Sequence, residues 1–264
     1  MRRGEWKSVV AATGLALLTV VGGCAEVPTD PEELAAYKER NDPLEPMNRY
    51  FFSLNDALDE LVMKPFAGWY YIALPNFAQD GIRNALNNLQ TPVIFGNDMF
   101  QGEFERAGIT LARFAINSTL GLAGLIDVAS EMGLRYHDED FGQTLAVWGS
   151  PEGPYLVLPV LGPSNPRDAV GRVADMFMDP LTYILPDHDL GGLLYVRAGL
   201  DAVDTRARNL KSLDEIKKGA IDYYATMRSL YRQHRNDAIR NGEPADEVSV
   251  LDFLQDEPQT SEAP

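Results

Sequence analysis

Residues 141–163 read FGQTLAVWGSPEGPYLVLPVLGP, a strongly apolar passage of 23 residues carrying four glycines and four prolines. A helix that crosses a membrane needs ~20 apolar residues without repeated breakers, so this is not one. The passage is also too apolar for an ordinary surface loop. Its pattern fits a short hairpin, with Thr144–Trp148 and Tyr155–Leu158 as arms and Ser150-Pro151-Glu152-Gly153 as the turn. Pro159 confines the second arm to an edge or an unpaired end. No other part of the chain shows sustained strand alternation. The predicted class is therefore all-α, with one apolar hairpin.

Upstream, Asp42-Pro43-Leu44-Glu45 opens a helix, and Met47, Phe51, Leu54, Leu58 and Leu61 form its apolar stripe. That helix is expected to end near Lys64-Pro65. A second is predicted over Pro75–Gln90 and a third over about Gly102–Asn117. Downstream, Asn165-Pro166 starts a helix carrying Ala169, Val173 and Phe177, and Leu193 to Leu210 marks a long one. Ser212 with Glu215 forms a capping box that is expected to open the last helix, which stops at Asn241-Gly242. Three connectors are unusually apolar: FAGWYYIALP (66–75), VIFGNDMF (93–100) and LGLAGLIDV (120–128). Together with 141–163 they either fill a core or face lipid.

The N-terminus bears on that choice. Arg2, Arg3 and Lys7 precede an apolar stretch, Val9–Val21, and then Val21-Gly22-Gly23-Cys24. A basic start, an apolar core and small residues before the only cysteine describe a lipoprotein signal, with Cys24 as the lipidated new N-terminus. The expected organisation is a signal peptide over 1–23, a lipidated tether over 24–40, one helical domain over 41–240 and an acidic disordered tail over 241–264. The tail holds seven acidic residues and no basic one. Removing Arg2, Arg3, Lys7 and Glu5 takes the formal charge from −16 to −18. Such a chain repels nucleic acid and anionic head groups, so membrane attachment rests on acyl chains and apolar burial. With one cysteine, the fold is held by packing and not by an internal disulfide.

Catalytic machinery is not evident. His137, His188 and His234 lie far apart in sequence without metal-ligand spacing, so no metal or cofactor is expected. There is no G-x-S-x-G elbow, and the Gly149–Gly153 stretch has Pro and Glu where an elbow fails.

Several motifs together carry a resemblance. They are Asp42-Pro43-Leu44-Glu45 with Asn48-Arg49, and Asn117-Ser118-Thr119 leading into Gly121-Leu122-Ala123-Gly124-Leu125-Ile126-Asp127-Val128-Ala129. To these add Asp140-Phe141-Gly142-Gln143-Thr144, Trp148-Gly149, Gly153-Pro154-Tyr155, Leu158-Pro159, Gly162-Pro163 and Arg167-Asp168. In order and spacing, over roughly 42–235, the chain resembles the MlaA (VacJ) lipoproteins. Ser150-Pro151-Glu152 departs from the more glycine-rich turn usual there, which leaves the turn geometry open. The resemblance implies a single ring-like helical domain embedded in the inner leaflet of the outer membrane, on the periplasmic side. It also implies an amphipathic channel that takes mislocalised phospholipid from the outer leaflet. The implied partners are phospholipid, a trimeric porin, and the periplasmic carrier MlaC feeding an inner-membrane ABC transporter. A brace for porins that moves no lipid, and a lipid hydrolase, are the alternative readings.

With that resemblance in view, the lipid path or gate is expected among Gly121, Gly124, Asp127, Gly142, Trp148, Gly149, Gly153, Tyr155 and Pro159. Asp127 also suits a plain helix N-cap. The four glycines of 141–163 are candidate hinges if that segment gates; otherwise it is a static wall.

Overall fold

The computed structural model describes residues 40–242 without a break, with Pro28, Asp30, Leu34, Tyr37 and Lys38 ahead of them. The expected lipidation site Cys24, most of the expected tether and nearly all of the acidic tail lie outside the described residues.

Helix α1 (Glu45–Leu58) starts where Pro46 and Glu45 favour a first turn. The expected stop at Lys64-Pro65 does not occur. The chain passes through a π-helical turn, Asp59–Met63, directly into α2 (Lys64–Ala73), with Pro65 in the first turn of α2. A proline ring clashes with the carbonyl four residues back, and a widened turn just before it relieves that clash. Helix α3 (Asn76–Gln101) likewise runs past its expected end, through Pro92. Val93, Ile94, Asn97 and Asp98 are all buried beyond the proline, and their packing outweighs one lost backbone bond. The connectors 66–75 and 93–100 are thus largely helical. Gly102, at φ +81°, ends α3 and turns the chain into α4 (Phe104–Thr119).

The loop 120–127 leads to a single turn, α5 (Val128–Glu131), and later to α6 (Phe141–Val147). Here the hairpin needs correcting. Thr144–Val147, expected as an arm, is helical, because the Asp140 carboxylate accepts from the Gln143 N–H as an N-cap. A hairpin is present further on, pairing β1 (Leu156–Leu158) with β2 (Gly162–Ser164) in the register Leu156 to Ser164. Its turn is Pro159-Val160-Leu161, not Ser150–Gly153.

Helix α7 (Pro166–Met178) is capped by Asn165, as its Asn-Pro start suggests. Helices α8 (Leu181–Asp187) and α9 (Gly192–Arg208) follow. The final helix does not open at Ser212. That residue sits inside α10 (Leu210–Gly219), and a break at Ala220–Asp222 precedes α11 (Tyr223–Ile239). Gly219 weakens the helix and the Asp222 side chain caps the next one, so the break falls there.

The packing order closes on itself. Helix α2 lies on α9, α9 on α3, α3 on α6, α6 on α11, α11 on β2, and β1 on α1, which leads back into α2. Ion pairs fasten the circuit at Arg206–Asp59, Arg83–Asp204, Arg235–Asp140 and Arg228–Asp42. Three rings, Tyr155, Tyr224 and Tyr231, pack where the hairpin meets α11.

Polarity is inverted relative to a water-soluble domain. Among the described residues, twenty buried side chains are polar or charged and only eleven are apolar. Large apolar side chains instead point outward, with Ile72 84% and Phe77 79% exposed. Soluble monomers do not leave apolar surface on this scale. Yet among the described residues no helix is long and apolar enough to cross a membrane. Acyl chains around the outside and polar pairing within satisfy both observations.

Candidate functional site

A cavity of about 390 Å³ lies between α3 and the α7–α9 segment. Its walls are mixed. Leu86, Met176 and Leu194 are apolar, whereas Gln90, Thr182 and the charged residues Asp179, Arg197 and Asp201 bring polar atoms. Arg197 donates through Nη1 to Asp179 Oδ2 at 2.5 Å, which ties α9 to the α7–α8 junction. Asp201 lies one turn further along α9, with its side chain 52% exposed and its Oδ1 3.2 Å from Arg83 Nη1.

Arg83 is mainly committed elsewhere. Its Nε donates to Asp204 Oδ2 at 2.7 Å and its Nη2 to Thr205 Oγ1 at 2.7 Å. The fully buried Asp204 also accepts from Tyr70 Oη at 2.7 Å and Arg208 Nε at 3.0 Å. This network locks α2, α3 and α9 beside the cavity, so the polar wall is built on rigid helices. A buried carboxylate needs this much compensation, because an unpaired one costs several kcal/mol.

Of the residues expected to form a path or gate, none lines this cavity. Gly121, Gly124 and Asp127 share the loop 120–127. A Cβ on Gly121 would sit 2.2 Å from the Ile126 carbonyl, and one on Gly124 (φ +92°) 2.6 Å from Asn88. The glycines therefore serve close approach. Asp127 is an N-cap, accepting from Ser130 N–H at 3.2 Å. It also takes both bonds of Arg113 Nη2, at 2.9 Å each, and one from Asn117 at 2.9 Å. Burial works against its ionisation, but the bonds from Ser130, Arg113 and Asn117 outweigh burial and hold the carboxyl at about 2. Arg113 also donates to the Leu134 carbonyl. The hollow beside Asp127, about 20 Å³, has room for one water and not for a lipid.

The segment 141–163 is firmly held. Gly142 packs against Gly171, where a Cβ would lie 2.3 Å from the Gly142 nitrogen, so the two glycines let α6 and α7 approach closely. Trp148 stacks edge-on with Phe100 and Phe141, and its Nε1 donates to the Phe100 carbonyl at 3.0 Å. Gly149 and Gly153 adopt positive φ in the stretch between α6 and β1. Tyr155 is buried, and Pro159 opens the turn whose tip, Val160 and Leu161, is exposed. Asn48, fully buried on α1, clamps the strand: Nδ2 donates to the Tyr155 carbonyl at 2.9 Å and Oδ1 accepts from Val157 N–H at 2.9 Å. Asn55 does the same for Leu158 and Val160.

A second polar centre lies where α3, α4 and α6 meet. Asp98 accepts from Thr110 Oγ1 at 2.7 Å and faces His137 Nε2 at 3.1 Å, and Glu139 pairs with Arg106 at 2.5 Å. Nearby, burial pushes the Asp175 carboxyl up to about 6, against bonds from Asn97 and the Phe141 N–H. Among the described residues, no group of three or more His, Cys, Asp or Glu is placed to hold a metal ion.

The reading from sequence missed Gln90, Asp179, Arg197 and Asp201. Helix α9 carried a signal: Arg197, Asp201, Asp204 or Thr205 and Arg208 recur at helical spacing, as a polar stripe beside the one that carries Leu193, Val196 and Leu200.

A family model described as MlaA lipoprotein matches residues 40–238. The intermembrane phospholipid transport system lipoprotein MlaA of Haemophilus influenzae is 34% identical, across 89% of this chain and 92% of its own. The protein of that description in Escherichia coli K12 is 33% identical, across 85% of this chain and 86% of its own. A solved structure, described as the structural basis for maintenance of bacterial outer membrane lipid asymmetry, is similar with a TM-score of 0.67 and 31% identity. It covers 75% of this chain and 98% of that one.

Proposed function

The chain belongs to the MlaA lipoprotein family, and from that premise we propose that it carries phospholipid through the α3–α9 cavity in an intermembrane transport system. The observation that carries this reading is the combination of an apolar exterior with a cavity whose lining is part apolar and part charged. The exterior suits one leaflet of a membrane, with Cys24 lipidated on the periplasmic side of the outer membrane. Inside the cavity, Arg197, Gln90 and Thr182 offer donors to a head group that must shed water, while Leu86, Met176 and Leu194 receive the glycerol and acyl carbons.

The chemistry needed is differential binding and not bond breaking. A phospholipid that has strayed into the outer leaflet exchanges hydration for the polar lining, then leaves towards a soluble periplasmic carrier, MlaC in this family, and an inner-membrane ABC transporter. A porin trimer is the expected neighbour of the apolar exterior. The loop 120–127, the Phe100–Phe141–Trp148 cluster and the Val160-Leu161 tip supply apolar surface to the surrounding acyl chains, acting as walls and not as a gate.

The test is genetic and chemical. A strain lacking the gene, or carrying Cys24→Ala, is expected to expose phospholipid at its surface and to lose its barrier to detergent with EDTA. Outer-leaflet composition identical to that of the parent strain would refute the transport reading and leave a structural brace.

A further inference from the structure

We propose that the cavity selects phospholipids whose head group carries an ammonium beside its phosphate, as ethanolamine phospholipids do, over purely anionic ones. This rests on the conduit reading above and adds a substrate class to it. Arg197 and Asp201 are four residues apart on α9, which places them as neighbours on one face, with Cβ atoms ~5–6 Å apart. That separation matches the short ethanolamine spacer between phosphate and ammonium. Arg197 spends Nη1 on Asp179, and a guanidinium has five N–H donors, so others remain for a phosphate. Asp201 meets Arg83 through one oxygen at 3.2 Å and keeps half its side chain exposed for an ammonium.

The balance of charge points the same way. The lining holds one cation, Arg197, and two carboxylates, Asp179 and Asp201. Arg83, which touches Asp201 from outside the lining, is held mainly by the buried Asp204 and by Thr205. A glycerol head group brings a negative charge with no ammonium, so it gains from Arg197 but meets repulsion from both carboxylates. A zwitterionic head group finds a partner for each of its charges.

The experiment places a photoreactive amino acid at Ala198 in the cavity and, separately, at Ile72 on the outer surface of the full-length lipidated protein. Both are expressed in cells whose membranes contain ethanolamine and glycerol phospholipids. Adducts are identified by mass spectrometry. At position 198 the ratio of ethanolamine to glycerol lipid is expected to exceed that at position 72 by about fivefold, the order that one half-exposed charge pair supports. Adding Asp201→Asn, which keeps shape and removes charge, is expected to bring the ratio at 198 down to the ratio at 72. Equal ratios at the two positions in the parent protein would overturn the selectivity while leaving the conduit intact. Enrichment that survives Asp201→Asn would overturn the role of Asp201. No lipid adduct at 198, with strong adducts at 72, would instead refute the conduit itself.

Discussion

Asp127→Ala removes the group that ties the glycine-rich loop to α4. Arg113 is buried, and both of its bonds to Asp127 are 2.9 Å long. Breaking a buried pair by deleting one partner costs about 3–5 kcal/mol, because the other charge stays buried and uncompensated. The lost N-cap adds about 1 kcal/mol, and the quarter exposure of the Asp127 side chain discounts the sum. A net loss of about 3 kcal/mol is expected, which lowers Tm by about 6–12 °C in a domain of this size. The pH dependence has a definite sign. The folded pKa, about 2, lies below the ordinary carboxylate value, so the contribution is present above about pH 4 and is lost as pH falls through 2. Thermal unfolding in detergent micelles at neutral pH, with Arg113→Met and the double variant completing a cycle, measures the pair directly. A Tm change below about 2 °C for Asp127→Ala, or a coupling energy near zero, would refute the reasoning. Since Asp127 faces Arg113 and not the large cavity, Asp127→Asn is expected to leave surface phospholipid at the parental level.

Asn48→Ala strands the Tyr155 carbonyl and the Val157 N–H in a buried position, at about 1–3 kcal/mol for each unsatisfied group. A lower Tm is expected, along with faster amide exchange confined to the hairpin; unchanged exchange at Val157 would count against the clamp. Asp175 behaves opposite to Asp127. Its folded pKa, about 6, lies above the unfolded value, so its contribution is complete below about pH 4 and is lost as pH rises through 6. Raising pH from about 5 to 7.5 should therefore cost about 1–2 kcal/mol, and Asp175→Asn should flatten that slope. The same slope in the variant would show that another group titrates.

Helices were legible wherever an apolar stripe recurred, as in α1, α7 and α9. Boundaries were misread at Pro65, taken as a terminator, and at Gln90, where α3 runs on through Pro92; a π-turn and buried flanking side chains accommodate the two prolines, and neither leaves a local mark. The first hairpin arm was misplaced although Asp140 and Gln143 have capping-box spacing, a helix signal hidden within an apolar run. Gly121, Gly124 and Gly142 stand at close approaches between segments, and only the fold shows what packs there. The cavity was not legible at all. Its walls come from positions near 90, 180 and 200, joined by tertiary contacts that no local pattern encodes.

The central claim is that phospholipid passes through the α3–α9 cavity. Ala198→Trp places a bulky ring on its wall, at a position exposed to the cavity and outside the buried polar networks. The direct measurement is surface-exposed phospholipid in a deletion strain complemented with this variant, alongside its abundance and Tm. Surface phospholipid as high as in the deletion strain, with abundance and Tm as in the parent, is the expected result. A stable, abundant Ala198→Trp protein that restores parental surface phospholipid would contradict the claim.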